Sequence, residues 1–221
     1  MNERKRLLVF ASGDKDGGGS GFQEMVEFTR TNPPILDADI VRVISNHSEG
    51  GVFKKANALK VPFKYWPGPF TPDGYRHLVK LYRADFVMLS GWLKMVFGLD
   101  PAKTVNIHPG PLPEFGGAGL YGHYVHEAVI KAYREGRTKQ SAVSMHFVDA
   151  EYDRGPMIFQ FPVLIRPEDT AETLAVRVNE KERAWQAYIL NKVIQGEIHL
   201  KNGKVYHKRK IIDRNYFLKG E

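Results

Sequence analysis

Four short runs rich in apolar residues, 7–11, 40–44, 86–89 and 104–107, constrain this chain's fold more than any other feature. A strand with water on one face alternates apolar and polar residues, whereas a strand covered on both faces reads as a near-continuous apolar run. Helical patterns separate the runs: 22–28, a segment near 52–59, and a helix opened by Thr71-Pro72-Asp73, with Thr71 as N-cap and Pro72 in the first turn. Tyr75, Leu78, Val79 and Tyr82 recur on that helix at helical spacing and read as core packing alone. The alternation predicts an α/β fold, a Rossmann-like, mostly parallel sheet with helices on both faces.

The second half follows the same logic. Residues 61–65 read as a short strand, 122–134 as a helix closed by Gly136, and 140–147 and 157–165 as strands joined by a turn at 152–156. Thr170 caps a long helix with Leu174, Val178, Trp185, Ile189 and Val193 on one stripe, and Asn202-Gly203 marks a C-terminal β-hairpin. No repeat, low-complexity stretch or linker interrupts the 221 residues, so a single domain over 1–221 is expected.

The chain has no cysteine, which excludes disulfides and thiolate metal sites. After the charged N-terminus only residues 7–11 form an apolar run, too short for a signal peptide or a membrane span, so a cytoplasmic protein with no membrane partner is expected. The net charge of +7 is largely local, with Lys201, Lys204, Lys208, Arg209, Lys210 and Arg214 in the last 21 residues. No aromatic-interleaved basic motif accompanies it, so it reads as a solvated tail, with no nucleic-acid partner.

Three stretches carry chemistry. Asn106-Ile107-His108-Pro109-Gly110-Pro111-Leu112-Pro113 ends a buried strand, because its prolines forbid both a helix and an interior strand. Asn106 and His108, two apart, point the same way, and ligands of open α/β sheets bind at the carboxyl ends of strands. Such a pair can donate to a developing oxyanion and move a proton, although a capping Asn and a satisfied loop His would look the same. The second stretch, Ser12-Gly13-Asp14-Lys15-Asp16-Gly17-Gly18-Gly19-Ser20-Gly21, lies between a strand and a helix and serves equally as a flexible turn or a phosphate cradle. It is neither a Walker loop nor a dinucleotide fingerprint. The third, Tyr152-Asp153-Arg154-Gly155-Pro156, taken alone is an ordinary turn. His123 and His126 lack any further ligand pattern, so no metal is expected.

Together, Asn106-x-His108-Pro-x-x-Leu-Pro113, residues 115–122 (Phe-Gly-Gly-Ala-Gly-Leu-Tyr-Gly), His126-Glu-Ala-Val, His146-Phe-Val-Asp and Tyr152-Asp153-Arg-Gly-Pro156 resemble the folate-dependent formyltransferases over roughly residues 6–196. The resemblance implies formyl transfer from 10-formyltetrahydrofolate to the amine of glycinamide ribonucleotide, without a metal, by a monomer or homodimer. It implies Asn106, His108 and Asp153 as the catalytic set, with Asp153 orienting His108. The folate would contact Trp92, Leu93, Lys94, Met95, Val96, Val148 and Asp149, where an apolar loop over the core would otherwise be the plain reading. The ribonucleotide would contact Gly18, Gly19, Ser20, Gly21, Asn179 and Glu182. The chain departs from the pattern in its longer glycine loop and in Gly21, where the family carries Asn, so a side-chain contact to the phosphate is lost. Relatives that hydrolyse the same folate carry an N-terminal regulatory domain, and those acting on an amino sugar or methionyl-tRNA a C-terminal one; here only 25 residues follow Gly196. A non-catalytic folate-binding protein is the alternative of a different class, against which the intact Asn106, His108 and Asp153 speak.

Overall fold

The structure is a computed structural model that describes residues 3–15 and 17–208. Strand β1 (Lys5–Phe10) lies at the heart of a seven-stranded sheet. Leu7 and Val9 enter a core on one face, and Leu8 and Phe10 a second core on the other. All four are fully buried, which is why the run shows no polar alternation. On one side β1 pairs in parallel with β2 (Ala38–Ser45), which carries β3 (Phe63–Tyr65). On the other it pairs in parallel with β4 (Phe86–Ser90), followed by β5 (Thr104–His108). Two antiparallel strands, β6 (Gln140–Phe147) and β7 (Met157–Leu164), complete the order β3-β2-β1-β4-β5-β6-β7. The sheet is thus mostly parallel, as the apolar runs imply.

The helices cover the two faces unequally. Helices α1 (Ser20–Thr29) and α2 (Gly51–Ala58) feed the larger core, and α3 (Pro72–Leu81) feeds the smaller one. Helices α4 (His123–Arg134) and α5 (Ala171–Ile194) join the larger core again. As expected, Thr71 caps α3, its hydroxyl accepting from the Gly74 N–H at 3.2 Å. The smaller core is aromatic: Phe10 and Trp92 have ring centroids 5.3 Å apart, and Trp66 and Tyr75 4.9 Å, both edge-to-face. Each such pair adds about 0.5–1.5 kcal/mol beyond the area it buries. Helix α1 starts at Ser20, two residues before the expected 22–28 segment, because the left-handed Gly19 (φ 74°) turns the chain directly into it.

The C-terminal hairpin forms from β8 (Ile198–Lys201) and β9 (Lys204–His207), with Asn202 and Gly203 at φ 51° and 71°, the signs a type I′ turn requires. The basic tail from Arg209 onward lies outside the described residues. No helix among the described residues is long and apolar enough to cross a membrane.

This topology fixes where a site can form. The chain leaves β1 toward β2 and β3, then returns to its other side at β4, so strand order reverses between β1 and β4. Loops diverge there beyond the carboxyl ends of the strands and leave a crevice.

Candidate active site

The crevice is a cavity of ≈ 470 Å³ lined by the glycine loop, residues 90–96, 106–109 and 117–122, the β6–β7 turn and one face of α5. Its volume lies within the range of small-molecule sites.

Asn106, His108 and Asp153, 47 residues apart at the extremes, meet in its lining. Register places Asn106 of β5 opposite His146 of β6. The Phe147 carbonyl accepts from His146 Nδ1 at 2.9 Å, so Nε2 carries the lone pair and accepts from Asn106 Nδ2 at 3.0 Å. The other Asn106 N–H donates to Asp153 Oδ1 at 3.2 Å. Swapping the Asn106 amide would set its oxygen against a carboxylate, so the orientation is fixed electrostatically. Asp153 Oδ2 accepts from the Gly117 N–H at 3.1 Å and lies 3.5 Å from His108 Nδ1. His108 Nε2 donates to the Phe115 carbonyl at 2.8 Å. The Phe115 carbonyl therefore sets the tautomer of the ring, and Asp153 faces the nitrogen that gains or loses a proton.

Charges in this cluster are strongly biased. Burial pushes the Asp153 carboxyl up, but the adjacent His146 and His108 rings and the Gly117 N–H outweigh it and hold it below the usual carboxylate value. Burial lowers His108, with Asp153 acting in the opposite direction. Asp153 sits at φ 54°, a left-handed conformation that Asp tolerates better than most residues. Two residues on, Gly155 runs so close to the Phe147 carbonyl that any side chain there would collide with it. This contact holds the turn, and with it Asp153, against β6.

Gly18, Gly19, Ser20 and Gly21 line the cavity together, the last two in the first turn of α1 rather than in a loop. That turn has no side-chain cap and no acidic residue, so its first N–H groups are available to an anion. The longer loop folds back on α2, with the Asp14 carbonyl accepting from the Gly51 N–H at 3.1 Å. A side chain at Gly50 or Gly51 would collide with the loop backbone at Asp14 or Gly17. Sequence reasoning missed this pair; the Gly-Gly step at the start of a helix was the available signal.

Trp92, Leu93, Lys94, Met95 and Val96 also line the cavity, as does Val148. The Leu93 N–H donates to Ser12 Oγ at 3.0 Å. Tyr75 donates its hydroxyl to the Met95 carbonyl at 2.8 Å and accepts from Trp92 Nε1 at 3.1 Å. Tyr75 is thus more than core packing: it pins this segment from below. Asp149 does not line the cavity, and its carboxylate instead accepts from the Glu151 N–H at 2.9 Å. The walls at Trp92, Leu93, Val96 and Val148 are apolar.

Asn179 and Glu182 line the cavity from α5, together with Arg183 and Gln186, which sequence reasoning passed over. Burial pushes the Glu182 carboxyl up to about 7, opposed by the Asn179 amide at 3.5 Å. His123 and His126 diverge: His123 Nε2 lies 3.4 Å from carboxylates of Glu127 and Glu172, while His126 is buried and pushed down to about 4. Among the described residues no cluster of three or more His, Cys, Asp or Glu could hold a metal ion.

A cavity at the strand-order reversal, lined by an amide, an imidazole, a carboxylate and an uncapped helix terminus, suits addition to a carbonyl carbon of a substrate carrying an anionic group. Residues 5–190 match the formyl transferase family model, and the chain belongs to that family. Among its relatives is the chloroplastic phosphoribosylglycinamide formyltransferase of Arabidopsis thaliana, 32% identical over 206 residues, which cover 88% of this chain and 67% of that one. The phosphoribosylglycinamide formyltransferase of Bacillus subtilis is 27% identical, over 86% of this chain and 95% of its own. The crystal structure of phosphoribosylglycinamide formyltransferase from Anaplasma phagocytophilum superposes with a TM-score of 0.75 at 26% identity, over 94% of this chain and 96% of that one.

Proposed function

We propose that this chain transfers the formyl group of 10-formyltetrahydrofolate to the amine of glycinamide ribonucleotide, a step of purine synthesis. The observation that carries the reading is the meeting of Asn106, His108 and Asp153 in one cavity with an anion-receptive helix terminus and apolar walls. The folate, held at 92–96 and Val148, supplies the formyl carbon, whose oxygen gains negative charge as the amine adds. The ribonucleotide's phosphate sits on the first turn of α1, with its ribose toward Asn179 and Glu182.

The chain's own residues then do four things. The first turn of α1 and the α5 face orient the amine, and orientation alone can contribute up to about 7–11 kcal/mol. Asn106 gives up its longer contact, to Asp153, and turns that N–H to the charged oxygen while keeping its bond to His146. His108, kept neutral at Nδ1 by its burial, takes the proton that the attacking amine loses, and Asp153 stabilises the resulting cation, which adds to the positive potential facing the same oxygen. That proton then passes to the departing nitrogen.

The test is an acceptor screen with 10-formyltetrahydrofolate, following release of the deformylated folate. Strong dependence on glycinamide ribonucleotide, with little activity on glycinamide alone, is expected, because binding of the remote phosphate and ribose contributes to positioning the amine. Folate release at the full rate with no amine present would overturn the reading in favour of a hydrolase.

A further inference from the structure

Gln186 lies seven residues beyond Asn179 and four beyond Glu182, so the three share the α5 face that lines the cavity. Gln186 itself is only 2% exposed, and its chain neighbours Trp185 and Ala187 belong to the core. An amide buried there is costly unless its polar atoms are satisfied. Its Oε1 accepts from Ser90 Oγ at 3.0 Å, and its Nε2 donates to the Gly21 carbonyl at 3.2 Å. The amide cannot be reversed without setting two carbonyls face to face, so both contacts are directional. They join the carboxyl end of β4 to the first turn of α1, the two elements that flank the strand-order reversal. The fit is close: a Cβ at Gly21 would lie 2.7 Å from Ser90 Oγ and 3.1 Å from Gln186 Oε1. The second N–H on Nε2 has no acceptor among the described residues.

We propose that Gln186 determines specificity for the acceptor: its amide fixes the first turn of α1, and its remaining N–H donates to the phosphorylated sugar bound there. The inference rests on the reading that this part of the cavity takes the ribonucleotide. The ladder of Asn179, Glu182 and Gln186 then runs along the sugar to the phosphate. Only the last rung touches the helix terminus that receives the charge. A neutral donor suits that position, whereas a carboxylate there would face the phosphate with like charge and could not bond the Gly21 carbonyl while ionised.

The test compares wild type with Gln186→Glu, which keeps the shape, and Gln186→Met, which keeps the bulk without polarity or charge. The KM for glycinamide ribonucleotide should rise about 10–100-fold in Gln186→Glu and about tenfold in Gln186→Met, the scale of one lost hydrogen bond to a charged group. Folate KM should stay near wild type, which a merely structural role would not produce, while the thermal midpoint falls by a few degrees because Ser90 Oγ and the Gly21 carbonyl lose their partner. Calorimetric titration of ribose 5-phosphate without any formyl donor should show the same ranking. If Gln186→Glu does not fold, the ranking is read from Gln186→Met. An acceptor KM within twofold of wild type in a folded variant, or an equal rise in folate KM, overturns the proposal. So does a wild type that fails to bind ribose 5-phosphate. Should wild type bind ribose 5-phosphate through Gln186 yet not formylate glycinamide ribonucleotide, the acceptor assignment falls and the role of Gln186 stands.

Discussion

The Asp153 carboxylate lies 3.5 Å from Nδ1 of His108, on the side of the ring opposite the Phe115 carbonyl that takes the Nε2 proton. With Nε2–H committed, a neutral His108 presents a lone pair to the carboxylate, and only protonation of Nδ1 turns that contact into an attraction. Asp153→Asn removes this bias and leaves one acceptor oxygen where the Asn106 amide and the Gly117 N–H each had their own. The expected loss in kcat is about 10²–10⁴-fold, the scale of a positioned acid–base group. Because a nearby negative charge raises the pKa of His108, its removal should also move the acid inflection of the kcat/KM profile to lower pH. His108→Ala should cost a similar factor, and the double variant little more than either alone. Fully additive losses in steady-state kinetics would mean that Asp153 is only a turn residue.

Glu182 makes acceptor binding sensitive to pH near neutrality. Burial raises its carboxyl to about 7, so it gains a proton as the pH falls through that value. An ionised carboxylate accepts from two sugar hydroxyls, and a protonated one accepts less well. The KM for glycinamide ribonucleotide should therefore rise as pH drops from about 8 to 6, while the folate KM changes less. Glu182→Gln should flatten the dependence. A wild-type acceptor KM independent of pH across this range would count against the placement of the sugar.

How much of this was legible in the sequence differs from residue to residue. The sheet was readable because residues 7–10 are buried on both faces and so carry no alternation to confuse them with an edge strand. Asn106 and His108 could be paired from strand parity and the prolines that follow. Asp153 could not be placed beside them without the family resemblance, since antiparallel register across β5, β6 and β7 sets that distance and no local pattern encodes it. His146, which faces Asn106 across two strands, was hidden for the same reason. Tyr75 misled because its ring follows the apolar stripe of α3 while its hydroxyl, invisible to periodicity, reaches Met95. Gln186 was overlooked because a lone amide in a long helix is most often solvent-facing, and only packing against Gly21 shows otherwise.

Tyr75→Phe isolates that hydroxyl. The ring stays in its aromatic core, but Trp92 Nε1 and the Met95 carbonyl both lose their partner. Buried polar groups left unpaired cost about 1–3 kcal/mol, so the thermal midpoint should fall by several degrees. The segment from Trp92 to Val96 would then be less well fixed, and the folate KM should rise about tenfold. The acceptor KM serves as the control, since the Tyr75 hydroxyl bonds to residues 92 and 95 rather than to the residues assigned to the ribonucleotide. A lower midpoint with an unchanged folate KM would limit Tyr75 to stability.

His126 should make the protein acid-labile. It is 5% exposed, its Nδ1 has no hydrogen-bond partner, and its pKa is pushed from 6.5 to about 4, first by burial and then by His123 and His108. A histidine whose folded pKa is depressed binds a proton more readily in the unfolded chain. Stability is therefore intact above pH 6.5 and is lost as the pH falls toward 4. At about 1.4 kcal/mol per pH unit, this one group can remove up to ~3 kcal/mol across that window. His108, also lowered by burial, acts in the same direction. His126→Leu removes both the titration and the unpaired nitrogen. Urea unfolding from pH 7.5 to 4.5 should show a steep loss for wild type and a shallower one for His126→Leu, whose relative advantage grows as the solution becomes more acidic. Parallel pH profiles for the two proteins would show that the acid sensitivity arises elsewhere.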